Sequence, residues 1–146
     1  MHKLIVVVTV FFSFMVSAYA GDLINPRPVP NSNYELAEDA ADNLWCKNCA
    51  GQSGWHEVAG LSGDFHTGGD VIGAGWDYAL YWQDMGSSCM YGNWNILNLR
   101  TGEIKSFGPS PKNIPELCQL EPDAVSYEIT ENGWTMTVLG KTYKGK

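Results

Sequence analysis

The sequence predicts a mainly β protein: a small antiparallel meander closed as a barrel or a sandwich, with one short N-terminal helix. Two features predict the strands. Glycines are dense from Cys46 to Gly75, which opposes a long helix. After Gly75, short apolar runs alternate with turn-rich segments, a pattern typical of antiparallel strands joined by hairpins. The chain of 146 residues shows no repeat of fixed period and fits one such domain.

The C-terminal hairpin is the clearest of these signals. Apolar residues occupy every second position from 125 to 129 and again from 134 to 138. Between the two runs, Glu131-Asn132-Gly133 predicts a tight turn, because Asn-Gly readily adopts positive φ. One apolar face and one polar face are expected of an antiparallel pair that covers a core on one side. The apolar set is Val125, Tyr127, Ile129, Trp134, Met136 and Val138.

The middle of the chain supplies further strands. Residues 78–82 and 94–99 are short, largely apolar runs. Residues 103–107 follow the second run through the tight connection Arg100-Thr101-Gly102, so a second hairpin is expected there. Shorter strands are predicted at residues 55–59, 71–72 and 142–144.

The region before the strands predicts an extended arm and then the helix. Residues 21–33 carry prolines at alternate positions, which a helix does not accept. Asn33 is a suitable cap for a helix over residues 34–45, where carboxylates gather near the first turns. The single disulfide-stabilised domain is therefore expected to span residues 34–146. The apolar residues at roughly helical spacing are Leu36, Ala37, Ala40, Ala41 and Leu44.

The first twenty residues have the pattern of a secretory signal peptide. A positive start at Lys3 precedes an apolar stretch too short to span a bilayer. Ala18-Tyr19-Ala20 is a small-x-small cleavage site, so the mature chain is predicted to begin at Gly21. We expect a periplasmic or secreted protein without a membrane anchor, since no later stretch approaches about 20 apolar residues.

The charge narrows the class of partner. The full chain carries −7, and removal of Lys3 with the signal peptide leaves −8. An acidic protein repels phosphate backbones and anionic membrane surfaces, so nucleic-acid binding is not expected. A basic protein partner is electrostatically favourable.

The four cysteines predict two disulfides, because an even number in an exported chain is typical of a disulfide framework. Three connectivities are possible, of which Cys46–Cys49 with Cys89–Cys118 is favoured. Trp45-Cys46-Lys47-Asn48-Cys49 is also similar to the W-C-x-x-C redox motif, although an acidic stretch precedes it and glycines follow. Zinc held by four thiolates is a further alternative. No cofactor is predicted.

A group of histidines and carboxylates lies in the glycine-rich segment. His56, Asp64 and His66 supply the residue types of a metal site or an acid–base pair, but in no recognised spacing. Residues of this kind beside glycines are usually solvated turn residues. They are weak candidates for a metal-dependent enzyme, just as Cys46 and Cys49 are for a thiol-based one.

Aromatic side chains in turns predict a binding surface. Trp55, Trp76 and Tyr91 are set among glycines, where large rings are harder to bury than in strands. Exposed aromatic rings suit sugar stacking or protein binding. The alternative is that these rings cover a small core.

One hairpin carries a partial resemblance. The segment ILNLRTGEI (residues 96–104) follows a strand and the turn GSSC (residues 86–89). It resembles a hairpin of small exported bacterial β proteins of unknown function, and a similar hairpin is found in β-propeller blades. The resemblance covers Tyr78 to Gly108. It implies an antiparallel β fold and export, and it brings no activity and no site residues.

Two functional classes follow from these observations. The first is an exported binding protein, such as an inhibitor or immunity partner of a toxin or a cell-wall hydrolase. Size, acidity and the predicted disulfides favour it. The second is an enzyme or metal protein that uses His56, Asp64 and His66, or the two cysteines Cys46 and Cys49.

Overall fold

A computed structural model of the chain describes residues 22–61, 69–84, 92–107 and 120–146, and these residues are mainly β, as predicted. The predicted signal peptide, residues 1–20, lies outside them. The described part contains one short 3-10 turn, Pro122–Ala124, and no α-helix. None of its elements is a helix with the length and hydropathy of a membrane span. The strands are β1 (Ile24–Pro28), β2 (Glu35–Glu38), β3 (Asn43–Lys47), β4 (Trp55–Gly60), β5 (Gly69–Gly75), β6 (Tyr78–Gln83), β7 (Asn93–Asn98), β8 (Ile104–Ser106), β9 (Ser126–Thr130), β10 (Gly133–Val138) and β11 (Lys141–Gly145).

The strands form three antiparallel meanders in chain order. Sheet 1 is β1-β2-β3-β4, sheet 2 is β5-β6-β7-β8, and sheet 3 is β11-β10-β9. The predicted meander is therefore confirmed, and strands β4 to β11 correspond to the strands predicted from residue 55 onward. The predicted closed barrel is wrong, because each sheet in the described residues keeps two free edges.

Sheet 2 lies between the other two sheets. Its even-numbered residues Tyr78 and Leu80 belong to one core cluster, together with Trp134 and Met136 of sheet 3. Its odd-numbered residues, such as Tyr81, belong to a second cluster with residues of sheet 1. The molecule is thus a stack of sheet 1, sheet 2 and sheet 3 with two hydrophobic cores.

The central position of sheet 2 explains its sequence. Successive side chains of a strand point to opposite faces, so a strand covered on both sides reads as a continuous apolar run. Residues 78–81, Tyr-Ala-Leu-Tyr, are such a run and all four are buried. In β7, Trp94 and Ile96 face sheet 3, whereas Leu97 faces sheet 1.

The predicted helix over residues 34–45 is wrong. This segment forms β2 and β3, joined by a turn in which Asp39 accepts hydrogen bonds from the backbone N–H groups of Ala41 and Asn43. Leu36 and Leu44 face the core from two paired strands rather than from one helix face. The apparent helical spacing arose because two short period-2 patterns flank a turn.

Within the predicted proline-rich arm, residues 24–28 form strand β1 of a sheet, and residues 30–33 form the turn that follows it. Strand β1 pairs antiparallel with β2, and the register shifts between Ile24 and Arg27, next to Pro26. A proline has no N–H to donate, which confines it to an edge strand or an irregularity. Arg27 also forms an ion pair with Glu38 at 3.0 Å.

Candidate functional site

Hairpin turns of all three sheets meet at one end of the stack. Within one meander, every second connection lies at the same end. In this stack, the connections that share one end are β1–β2 and β3–β4 of sheet 1, β5–β6 and β7–β8 of sheet 2, and β9–β10 of sheet 3. The backbone joins several of them: Trp76 N–H donates to the Pro30 carbonyl at 2.8 Å, and Ala50 N–H donates to the Leu99 carbonyl at 2.8 Å. Leu99 N–H in turn donates to the Asp77 carbonyl at 2.7 Å.

A cleft of about 420 Å³ opens where these turns meet, which we call the turn cleft. Four connections contribute side chains to it, so the cleft exists only when the sheets are stacked. Its lining is polar, with two aromatic rings among amides and carboxylates. The lining residues are Asn31, Ser32, Asn33, Tyr34, Asn48, Trp76, Asp77 and Glu131.

Trp76 occupies an unusual backbone conformation in this cleft. It is the first residue of the two-residue β5–β6 turn and has a φ of 52°. A bulky side chain in this left-handed region costs roughly 1–2 kcal/mol, and glycine or asparagine would take the position more cheaply. A strained residue at a cleft is a reason to look for function there.

A hydrogen-bond network fixes one wall of the turn cleft. The Tyr34 hydroxyl donates to Asp77 Oδ1 at 3.1 Å, and Arg100 Nε lies 3.5 Å from Asp77 Oδ2. Burial raises the pKa of Tyr34 above its ordinary value of 10.0, and the hydrogen bond and charge of Asp77 raise it further, against the lowering effect of Arg100. Tyr34 therefore remains a neutral donor around neutral pH.

The other polar groups of the cleft differ in whether they are available to a ligand. The side chain of Asn48 is engaged within the protein, because its Oδ1 accepts a hydrogen bond from Gly54 N–H at 3.1 Å. The side-chain amides of Asn31 and Asn33 and the carboxylate of Glu131 make no hydrogen bond or ion pair within the described residues. With the indole of Trp76, they offer an aromatic surface, amide donors and acceptors, and one unpaired negative charge.

The predicted Cys46–Cys49 pair is present as a disulfide. Cys46 is in β3 and Cys49 in the loop that follows, with their Cα atoms 5.8 Å apart. Both residues are buried in the core between sheets 1 and 2. A thiol-based reaction needs an accessible thiolate, which neither sulfur provides in this form. Cys89 and Cys118 lie outside the described residues.

Of the predicted partner-binding aromatics, Trp55 and Trp76 are described, and they do not line the same cleft. Trp76 lines the turn cleft, whereas Trp55 does not. Trp55 is half-buried at the start of β4, where the Lys47 ammonium lies 5.9 Å from its ring centre. Tyr91 lies outside the described residues. The binding role of Trp55 and Tyr91 stays a prediction.

The histidine and carboxylate candidates stay predictions too. His56 pairs with Cys46 across β3 and β4, and its buried Nε2 has no hydrogen-bond partner in the described part of the chain. Asp64 and His66 lie outside the described residues. Within residues 22–61, 69–84, 92–107 and 120–146, no group of three or more His, Cys, Asp or Glu residues is placed to hold a metal ion.

Sequence reasoning missed most of the turn cleft. From the sequence, Tyr34 is predicted in a helix and Glu131 in a turn, and Asp77 is not singled out. One signal could have located the cleft. In a meander the turns alternate between the two ends of the strands, so turns separated by two strands lie at the same end. Applied across the chain, that rule groups the turns that carry Asn33, Trp76 and Glu131.

Comparison of the chain with protein-family models, with curated proteins and with solved structures finds no match in any of the three.

Proposed function

We propose that the protein is an exported binding protein whose turn cleft captures a cationic side chain of a basic partner protein. The observation that carries the proposal is Trp76, held at a φ of 52° with its indole in a cleft that also contains the unpaired carboxylate of Glu131. A lysine or arginine head group fits both elements, through a cation–π contact and an ion pair.

The electrostatics of the cleft support this ligand class. Arg100 lies beside Asp77, so that carboxylate is already paired. Glu131 has no such cation, and an incoming ammonium or guanidinium would supply it. The net charge of −7 attracts a basic protein from a distance and speeds the encounter.

The same chemistry occurs within the chain itself. The Lys105 ammonium lies 5.3 Å from the ring centre of Trp134, and that of Lys47 lies 5.9 Å from the ring centre of Trp55. Trp76 makes no such contact within the described residues, so its indole is available to a cation from outside.

The partner class that fits is a cationic protein of the envelope or medium, such as a lysozyme-like hydrolase or a toxin. In that setting the chain would act as an inhibitor or immunity protein. A loop-borne lysine or arginine would enter the turn cleft, while the amides of Asn31 and Asn33 would bind its backbone. Shape and hydrogen bonds would then give selectivity beyond charge.

The proposal is tested first with small probes. The peptides Gly-Arg-Gly and Gly-Lys-Gly, with Gly-Gln-Gly as the neutral control, are titrated while the amide signals of the cleft are followed by NMR. We expect shifts at Trp76 and Glu131 with the cationic peptides alone. Glu131→Gln should weaken binding about five- to tenfold, and Glu128→Gln, which removes a carboxylate of β9 outside the cleft, should leave it unchanged.

A basic protein provides the second test. Affinity for a lysozyme is measured at low and at physiological salt, where charges are screened over about 10 Å at 0.1 M. Two results together support the proposal. Association is slower at higher salt, and Trp76→Asn weakens binding at both salt concentrations. Binding that Trp76→Asn and Glu131→Gln both leave intact would exclude the turn cleft as the binding site.

A sugar is a second candidate ligand, favoured by one observation. The cleft presents the free amides of Asn31 and Asn33 beside an indole, which suits hydroxyl groups and the apolar face of a pyranose ring. Titration with cell-wall oligosaccharides separates the candidates, because sugar binding should not depend on salt or on Glu131→Gln.

A further inference from the structure

The outer edge of β11, which no described strand covers, is the second feature suited to recognition. Sheets 1 and 2 each contain four strands, whereas the described part of sheet 3 contains three and ends at β11. β10 and β11 form a two-residue hairpin in which Val138 pairs with Lys141 and Met136 with Tyr143. Hydrogen-bonded pairs alternate with non-bonded pairs in such a ladder.

This register shows which backbone groups face outward. Lys141 flanks the two-residue turn and is hydrogen-bonded to β10, as are Tyr143 and Gly145. Thr142 and Lys144 therefore direct their N–H and C=O groups away from the sheet. Together they offer two donors and two acceptors to an added strand.

The cations that have no ion pair among the described residues lie at or near this edge. Among the described residues, Arg27, Lys47 and Arg100 each have a carboxylate partner. The four remaining cations form no ion pair. They are Lys105 on β8 and Lys141, Lys144 and Lys146 at or beside β11.

The edge is also flanked by space for side chains. A cavity of about 460 Å³ extends over β9, β10 and the end of β11, and its lining includes Glu128, Trp134, Lys144 and Lys146. On the side that faces sheet 2, a smaller cavity is lined by Tyr78, Lys105 and Lys146 among others. An added strand alternates its side chains between the two faces, so both spaces could receive one.

We propose that β11 accepts an extended acidic segment of a partner protein as the fourth strand of sheet 3. Backbone hydrogen bonds to Thr142 and Lys144 would supply affinity, and carboxylates of the segment would pair with the lysines. A second copy of β11 does not fit this role, because it would bring lysines against lysines, an arrangement that blocks edge-to-edge pairing. This surface is separate from the turn cleft and takes the opposite charge.

The test uses the purified chain and two model peptides, Ac-Glu-Val-Glu-Val-Glu-Val-NH2 and its Lys-Val counterpart. Amide exchange and chemical shifts are followed by NMR. We expect the acidic peptide alone to bind, and to slow exchange of the Thr142 and Lys144 amides at least tenfold.

Variants separate strand addition from simple charge attraction. Thr142→Pro removes an outward N–H and leaves the backbone ladder to β10 in place, and proline is tolerated on an edge. It also removes the hydrogen bond at 2.8 Å between the hydroxyls of Thr142 and Thr137 on β10. It should weaken peptide binding at least tenfold, as should the triple change Lys141→Gln, Lys144→Gln and Lys146→Gln. Lys47→Gln, which removes a cation of sheet 1, is the matched control and should bind like the wild type.

Four results would overturn the proposal. One is acidic-peptide binding without protection of the Thr142 and Lys144 amides, which would indicate charge alone. The second is wild-type binding by a folded Thr142→Pro, and the third is equal binding by a polyanion such as heparin. The fourth is no binding of the acidic peptide at low salt. If Thr142→Pro does not fold, the exchange data on the wild type decide. Glu131→Gln should not change any of these results, so failure here is distinguishable from failure of the turn cleft.

Discussion

The hydroxyl of Tyr127 donates a hydrogen bond to the carbonyl oxygen of Ile72 at 2.9 Å and so joins sheet 3 to sheet 2. The ring of Tyr127 lies so close to Gly73 that a Cβ built on the glycine would overlap it. The contact positions β9 beside β5, and Glu131 of the turn cleft follows directly at the end of β9.

This contact predicts that Gly73→Ala destabilises the fold. The added methyl must displace the outer end of the exposed Tyr127 ring, and the loss of its hydrogen bond costs roughly 0.5–1.5 kcal/mol. Gly75→Ala is the control on the same strand, since its Cβ would meet only ordinary contacts at 3.8 Å. Urea unfolding should show a clear loss for the first variant and little for the second. Equal midpoints would show that the ring adjusts at no cost.

The conformation of Trp76 predicts a separation of stability from binding. Trp76→Asn places a residue that tolerates positive φ in the turn, so strain of about 1 kcal/mol is relieved while some packing is lost. We expect a thermal midpoint equal to or above that of the wild type. Affinity for Gly-Arg-Gly should fall by at least tenfold. A drop in the midpoint of several degrees would instead mark Trp76 as a core residue.

Asp39 predicts a loss of stability in acid. Burial pushes its pKa up, but hydrogen bonds from Asn43, Trp45 and Ala41 outweigh that effect and lower it from 3.8 to about 2. Because the folded-state pKa is below the unfolded one, the stabilisation is present above about pH 4 and is lost as pH falls through 2. With allowance for solvent screening, it amounts to about 1 kcal/mol.

The measurement is the urea midpoint of wild type and Asp39→Asn between pH 5 and pH 2. The variant should be less stable at pH 5, and the difference should shrink toward pH 2. Asp42→Asn is the control in the same turn, where asparagine can keep the positive φ of Asp42. Its urea midpoint at pH 5 should be close to that of the wild type.

The strands from β4 onward could be predicted because their signals are local. Trp134, Met136 and Val138 alternate with polar residues, and the turn before them carries Asn132-Gly133. Residues 34–45 could not be assigned correctly, because the apolar pattern around Leu36 and Leu44 fits both the helical period and the strand period. The turn chemistry of Asp39 decided between them, and it acts through hydrogen bonds to residues further along the chain.

The stacking of the sheets and the composition of the turn cleft could not be predicted from local sequence patterns. The continuous apolar run at residues 78–81 was visible, but it does not say which sheet covers which face. The cleft joins residues as far apart as Asn31 and Glu131, so its composition depends on that stacking. Trp76 is singled out from the sequence as an aromatic ring among glycines, and its binding role stays a prediction. Its neighbours in the cleft follow only from tertiary structure.

The disulfide of Cys46 and Cys49 leads to a last prediction about the other cysteines. With that pair formed, the only intramolecular partner for Cys89 is Cys118, and thiol titration of the unfolded, unreduced protein should find no free cysteine. Peptide mapping should link Cys89 to Cys118. Such a bond closes a loop of about thirty residues and stabilises by roughly 3–4 kcal/mol in the chain-entropy model.

Native-state reduction provides the matched comparison between the two pairs. Because Cys46 and Cys49 are buried, a mild reductant should not reach them until the fold opens, and their reduction should follow the rate of unfolding. The variant Cys89→Ala with Cys118→Ala should unfold at lower urea and still retain the Cys46–Cys49 bond. A peptide that links Cys46 or Cys49 to either of the other two cysteines would contradict the pairing.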